Sequence, residues 1–292
     1  MGGMAQDKQT RRQLFEFGAV LLGGAGLASA GAGFKKPIGV QLYTVREILP
    51  KDPAQTLKAI EKIGYTEVEV LGEGFPSIEA LLKKDKLTAV SGHFGGDMIL
   101  KPDWDAWKKA VDVAHRGGLK YMVMPYVPVS DRGGLDFFRS FADKLNQAGA
   151  ITRHAGIKMA YHNHCFEFKP TEGKVPLDVL MERLDPKLVG LEMDVFWVSV
   201  GGHDPVERLK KYTGRVPLVH LKDKAKGTPV QYNENVPGQD FMAVGSGTLD
   251  FPAILKAAEA AGVQHYFVEQ DHTPGNPLDS LRKSFEYLRG AV

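Results

Sequence analysis

Residues 161–168, YHNHCFEF, put two histidines, an asparagine and a glutamate directly after the apolar run IKMA (157–160). Side chains alternate faces along a strand, so His162 and His164 point one way while Glu167 has the opposite parity. Glu167 therefore belongs to the loop beyond the strand, and the segment reads as a strand tip that carries a site. Same-face polar pairs recur near the ends of other apolar runs: Glu67 and Glu69, Glu192 and Asp194, His220 and Lys222, Glu269 and Asp271, with His93 closing one more. An unpaired buried carboxylate is costly, so a ring of them requires a lysine, a proton or a cation. One divalent metal ion would meet that requirement. Glu67 and Glu69 also fit ion pairs at a rim, and Glu192, one layer deeper than Asp194, fits a structural hydrogen-bonding role. His115, His154 and His265, in helices or at a strand start, read as surface residues, and Trp104 and Trp107 as helix packing. His203 and His272 fall in loops near the rim.

The elements that must position these groups repeat along the chain. Short apolar runs occupy 38–45, 66–72, 87–94, 119–127, 157–164, 188–198, 216–223 and 265–271. Between them lie amphipathic segments such as DPAQTLKAIEKIG and FPAILKAAEAAG, opened by Asp or Pro and closed by glycines such as Gly64, Gly118, Gly156 and Gly262. Strands alternating with helices imply parallel pairing with right-handed crossovers, and eight such units predict a closed (β/α)8 TIM barrel. An open dinucleotide-type sheet would want a Gly-rich turn after the first strand, and QLYTVREI (41–48) has none. In a barrel, polar groups gather at the C-terminal strand ends, which is where the pairs fall. The long stretch from Lys224 to Thr248 reads as a lid or binding loop at that rim. Within it, GSGTLD (245–250) fits either a phosphate cradle or a plain turn.

The 292 residues, 43% apolar and 25% charged, suffice for a full core, and a formal net charge of +2 with no long basic run argues against nucleic acid or an anionic membrane as partner. Cys165 is the single cysteine, which excludes an intrachain disulfide or a thiolate metal cluster and suits a small packed residue. Residues 1–30 run from a polar start through Arg11 and Arg12 to a Gly/Ala-rich apolar stretch and ASA, the order of an export signal. They resemble the twin-arginine signal family, although Leu14 stands where an aromatic is usual and Phe15 follows it. Cleavage is expected near Ala30, with the export machinery as partner and a periplasmic or exported destination. Leu14 to Ala30 is barely long enough to span and is diluted by glycine, so no stable span is expected in the mature chain.

From about Lys36 to the C-terminus the chain resembles the sugar phosphate isomerase/epimerase family of xylose isomerase-like TIM barrels. The motifs IGVQLYTVR, IEKIGYTEVEV, YHNHCFEF, MDVFWV, VHLKD and FVEQD carry the likeness, in that order and spacing. It implies a single catalytic barrel over residues 36–292 and one divalent metal held by Glu167, Asp194, His220 and Glu269, with His162 or His164 as alternatives to Glu167. Three oxygens and an imidazole suit Mn2+ first, then Mg2+, Co2+ or Zn2+. Where epimerases of the family often carry a histidine three residues after the sixth-strand aspartate, this chain has Trp197, a stacking wall for a sugar ring. Gln41, Glu69 and His93 join Trp197 as expected substrate contacts.

The implied chemistry is sugar isomerisation or epimerisation by proton removal beside a carbonyl through an enediolate. Glu167 and Glu269 form the acid/base pair, His162 or His164 is the reserve base, and Lys222 orients an oxygen. An exported enzyme would meet unphosphorylated sugars, and β-elimination on a 3-keto-glycoside is the alternative reaction. A non-catalytic carbohydrate-binding barrel is a further alternative; a nucleic-acid hydrolase would need a basic groove. The sequence leaves a homo-oligomer open.

Overall fold

A computed structural model describes residues 34–290. Eight parallel strands close into a barrel: β1 (Gly39–Gln41), β2 (Glu67–Leu71), β3 (Thr88–His93), β4 (Tyr121–Met124), β5 (Lys158–His162), β6 (Val189–Asp194), β7 (Leu218–Leu221) and β8 (His265–Val268), with β1 paired to both β2 and β8. The expected runs all contain a strand shorter than the run itself, and in two of them much of the remainder is helical. Residues Leu42–Val45 turn into a 3-10 helix, and Val195–Val200 form an α-helix whose N-cap is Asp194. Apolar composition alone cannot separate a strand from a buried helical turn. The export signal expected over residues 1–30 lies outside the described residues. Among the described residues, no helix is long and apolar enough to cross a membrane.

Local chemistry sets the helix ends. Asp52 caps Pro53–Ile63 by accepting from Gln55 N–H at 2.9 Å, and Asp250 caps Phe251–Ala261 through Ala253 N–H at 3.0 Å. Proline opens the first of these helices, where a missing N–H costs nothing, and Gly64 ends it with φ of 119°. The outer helices bury their apolar faces on the strands' outward side chains, which form one continuous core.

Inside the barrel, Val90, Tyr121, Val123, Ala160, Leu218 and Phe267 make a separate apolar plug. Gly39 permits it, since a Cβ there would stand 2.4 Å from the Phe267 ring. Below the plug His265, expected at the surface, is buried instead and pairs with Glu67 at 2.9 Å, because the strand start faces the barrel interior. His115 and His154 are exposed as expected, and Trp107 is fully buried against the helix layer.

The long connection after β7 is tied down at both ends. Asp223–Lys224 and Phe241–Met242 pair as two short antiparallel strands. The buried Asp223 carboxylate accepts from Lys224, Gly245, Gly247, Thr248 and Leu249 N–H groups at 2.7–3.1 Å. The Gly-rich turn that fitted a phosphate cradle thus wraps an aspartate of its own chain, and Gly245 adopts φ of 84° to do so. Replacing Asp223 by alanine strands several buried N–H groups, so chemical denaturation of Asp223→Ala should show a loss of roughly 2–4 kcal/mol.

Candidate metal and substrate site

Above the plug, the inward side chains of β1, β2, β3, β6 and β7 form a first polar layer. Gln41, Glu69 and Ser91 lie side by side in register on three adjacent strands. Glu69 accepts from Gln41 Nε2 at 2.7 Å and Ser91 Oγ at 2.6 Å, and His220 Nε2 stands 2.6 Å from it. His93 Nε2 lies 2.8 Å from Glu192 and 3.1 Å from Glu69. Burial opposes charge on His93, but Glu69 and Glu192 outweigh it and push its pKa up to about 10.

A second layer sits over the first at the C-terminal strand ends. One donor atom from each of His162, Asp194, His220 and Glu269 lies within 4.8 Å of the others, all four residues buried. Asp194 has a double part: one oxygen caps the following helix through Trp197 N–H at 3.0 Å, which aims the other into the cluster. Asn163 fixes this corner by accepting from Asp194 N–H at 3.2 Å. His220 Nδ1 stands 2.9 Å from Glu269. Lys222, almost fully buried, reaches Asp194 and Asp271 at 3.0 Å and Glu269 at 2.9 Å. Burial alone would raise the carboxyls of Asp194 and Glu269, yet Lys222 and the histidines hold both below the ordinary range. The same carboxylates hold the Lys222 ammonium well above its usual value against burial.

The cluster fits a divalent cation. Both nitrogens of His162 are buried without a hydrogen-bond partner, with Asp194 Oδ2 3.4 Å from Nε2, and such orphans are rare and costly in a finished core. They converge with His220 and Glu269 on one small volume, and two imidazoles with two carboxylates are a familiar donor set for first-row divalent metals.

Glu167 stands apart from this cluster, and His162 occupies the place expected for it. The Glu167 carboxylate lies behind β5, where it accepts from the Tyr161 hydroxyl and from His164 N–H, the latter at 2.9 Å. Burial pushes its pKa up to about 8, against the pull of those donors. The reason is the parity already visible in the sequence: Tyr161 faces away from the barrel axis, and Glu167 joins it there. Gln41 and Glu69 are likewise fully buried beneath the cavity and do not line it.

The cavity above the second layer encloses about 520 Å³. His93, His162, His164, Lys222 and Glu269 reach it from the strand ends, and Trp197 stands in its wall. Tyr43, Phe94, Tyr126 and Phe241 add flat apolar faces that sequence reasoning had not singled out. Phe94 and Tyr126 sit just past strand ends, so position relative to a strand tip was their available signal; Phe241 enters from the long connection and had none. His164 Nδ1 is buried and unpartnered, and burial first, then the charges of His162 and Lys222, holds this imidazole well below its usual pKa. Arg132 joins Glu234 at 2.8 Å across the cavity mouth, linking the loop after β4 to the connection after β7. Cys165 is buried with its thiol turned to Asn233 O at 3.2 Å, and burial pushes its pKa up.

The comparisons with known proteins agree with this architecture. The family model for the xylose isomerase-like TIM barrel matches residues 57–291. Inosose dehydratase of Clostridium perfringens is 27% identical over 80% of this chain and 88% of its own length. The inosose dehydratase of Geobacillus thermodenitrificans is 27% identical over the same shares. Among solved structures, a sugar phosphate isomerase/epimerase from Parabacteroides distasonis superposes with a TM-score of 0.75 at 28% identity, covering 90% of this chain and 96% of that one. With a closed eight-stranded barrel, polar strand ends and a family match over most of its length, the chain belongs to the xylose isomerase-like TIM barrel family.

Proposed function

We propose that this protein is a divalent-metal-dependent enzyme that removes a proton beside the carbonyl of an uncharged keto-sugar or keto-cyclitol and then expels the β-oxygen substituent. The observation that carries the reading is the convergence of buried ligand atoms from His162, Asp194, His220 and Glu269, with both His162 nitrogens unpartnered, at the floor of an aromatic-walled cavity. A divalent ion held there supplies Lewis acidity to the carbonyl and so lowers the cost of the enolate. With two imidazoles in the set, Mn2+, Co2+ or Zn2+ suits the site better than Mg2+.

The chain's own groups cover the remaining tasks. His164 offers a neutral, unpartnered Nδ1 at the cavity wall, suited to take the proton as the C–H electrons pass into the enolate. Lys222 keeps the carboxylates of Asp194, Glu269 and Asp271 together and presents positive charge at the same wall. When the enolate electrons return, the β-oxygen departs with a proton supplied by the site, leaving an α,β-unsaturated ketone. Flat faces on Tyr43, Phe94, Tyr126, Trp197 and Phe241 suit the C–H faces of a ring.

The uncharged substrate follows from the charges around the cavity. Its acids are Glu234, Glu269 and Asp271, while Lys222 is shared among three carboxylates and Arg132 is paired with Glu234. The Gly-rich turn that fitted a phosphate cradle or a plain turn is occupied by Asp223. The dehydratase relatives support elimination, and the isomerase/epimerase neighbour supports a second reading in which the same enolate is reprotonated.

Metal analysis tests the site. Asp194→Asn retains the oxygen that caps the helix and removes the free carboxylate oxygen, so the variant should stay folded while metal affinity falls at least about 100-fold. Glu167→Gln should retain about one ion per chain; loss of the metal in Glu167→Gln with retention in Asp194→Asn would reverse the ligand assignment. For the chemistry, wild-type protein with Mn2+ in D2O should exchange the α-hydrogen of a keto-cyclitol and release an enone absorbing in the ultraviolet. Exchange with a stereoisomeric product and no enone would select the epimerase reading, and no exchange with any uncharged ketose or cyclitol would refute both. The export reading of residues 1–30 is tested separately: Lys at Arg11 and Arg12 together should retain the protein in the cytoplasmic fraction.

A further inference from the structure

His162 in the upper polar layer and Glu69 in the lower one differ in how far protein alone satisfies them. In the upper layer, both His162 nitrogens lack hydrogen-bond partners. In the lower layer Glu192 Oε1 is also without a partner, but both Glu69 oxygens are engaged: Ser91 donates to one at 2.6 Å and Gln41 to the other at 2.7 Å, with His220 Nε2 at 2.6 Å and His93 Nε2 at 3.1 Å from it. Although Glu69, His93, Glu192 and His220 are close enough to hold an ion, Glu69 has no vacancy for one.

His220 joins the layers, with Nε2 toward Glu69 and Nδ1 toward Glu269. A neutral imidazole has one N–H, and here each nitrogen faces an acid, so the ring's position does not decide which nitrogen carries the proton. The surroundings do hold the ring's plane: His93 stacks on it at 5.5 Å between centroids with a 20° tilt, and Phe267 meets it edge-on from below at 6.2 Å. We propose that Glu69 is the positioning residue for His220, accepting the Nε2 proton so that the Nδ1 lone pair is left facing Glu269 and Asp194 as a metal ligand. Gln41 and Ser91 serve this role by holding the carboxylate in place, which explains why buried polar residues stand in register on β1, β2 and β3. A carboxylate on the far nitrogen of a ligating histidine also raises its basicity. The inference rests on the metal reading above.

Titration with Co2+, followed by its visible absorption, tests it on the full chain, alongside 15N NMR of histidine-labelled protein with Zn2+ bound. Wild-type protein should bind one Co2+ with His220 protonated on Nε2. Glu69→Leu should weaken binding by about 10- to 100-fold and shift the Co2+ bands. Glu69→Gln retains a carbonyl acceptor, which Ser91 can support by turning its hydroxyl, and should lose less. Glu67→Gln, facing His265 below the plug, should bind like wild type. If Glu69→Leu does not fold, a wild-type Co2+ spectrum and affinity in both Glu69→Gln and Ser91→Ala would overturn the proposal, and a graded shift would support it. Unchanged affinity and bands in folded Glu69→Leu would overturn it and leave the metal reading standing. Two ions per wild-type chain, one of them lost in Glu69→Gln, would overturn it by making Glu69 a ligand. A folded wild type that binds no Co2+ would remove the metal reading and this inference together.

Discussion

The rest of the site depends on one constraint: carboxylates are enclosed in the barrel interior, where water solvates them poorly. Glu69, Glu192 and Asp194 are fully buried and Glu269 nearly so. Charge of that kind is tolerated only when opposite charge and hydrogen bonds are supplied by the same interior. Lys222, His220 and His93 supply them, and each lies within 4 Å of at least two acids. His220 is the hinge of the arrangement because its two nitrogens answer to different layers. The apolar plug below, made possible by the missing Cβ of Gly39, keeps this cluster at the strand ends and closes the barrel beneath it.

Two aspartates show how backbone N–H groups are made to organise the site. Asp194 uses one oxygen to start a helix and thereby fixes the direction of the other. Asp223 collects the N–H of its neighbour Lys224 and four more from the far end of a long connection, and holds that connection over the rim. Both uses exchange an unsatisfied N–H for a charge-assisted hydrogen bond, which is stronger than a neutral one. The result is a loop that contributes Glu234 and Phe241 to the cavity from a defined path.

The cavity joins a polar floor to aromatic walls, and that division separates tasks. In the proposed reaction the floor would handle charge that develops at a carbonyl and its neighbouring carbon, and the walls would exclude water and take up the apolar faces of a ring. His164 lies on the boundary, with its ring 5.3 Å from Trp197 and 4.9 Å from His162. Burial there favours the neutral imidazole, the form able to accept a proton.

By itself the sequence determined the barrel and the height of the site within it. Alternation of apolar runs with capped amphipathic segments admits few packings, and a polar residue in a strand buried on both sides has to sit near an end where loops and partners can satisfy it. Asp194, His220, Lys222 and Glu269 were legible for that reason, and strand parity already set Glu167 on the other face from His162 and His164. Tertiary structure alone decided which of those groups meet. Whether Glu69 and Gln41 touch substrate or lie beneath it depends on the stagger between neighbouring strands, and whether GSGTLD receives a phosphate depends on Asp223, some twenty residues away in the chain. Those outcomes are set by distances between residues far apart in sequence, which spacing along a single chain does not encode.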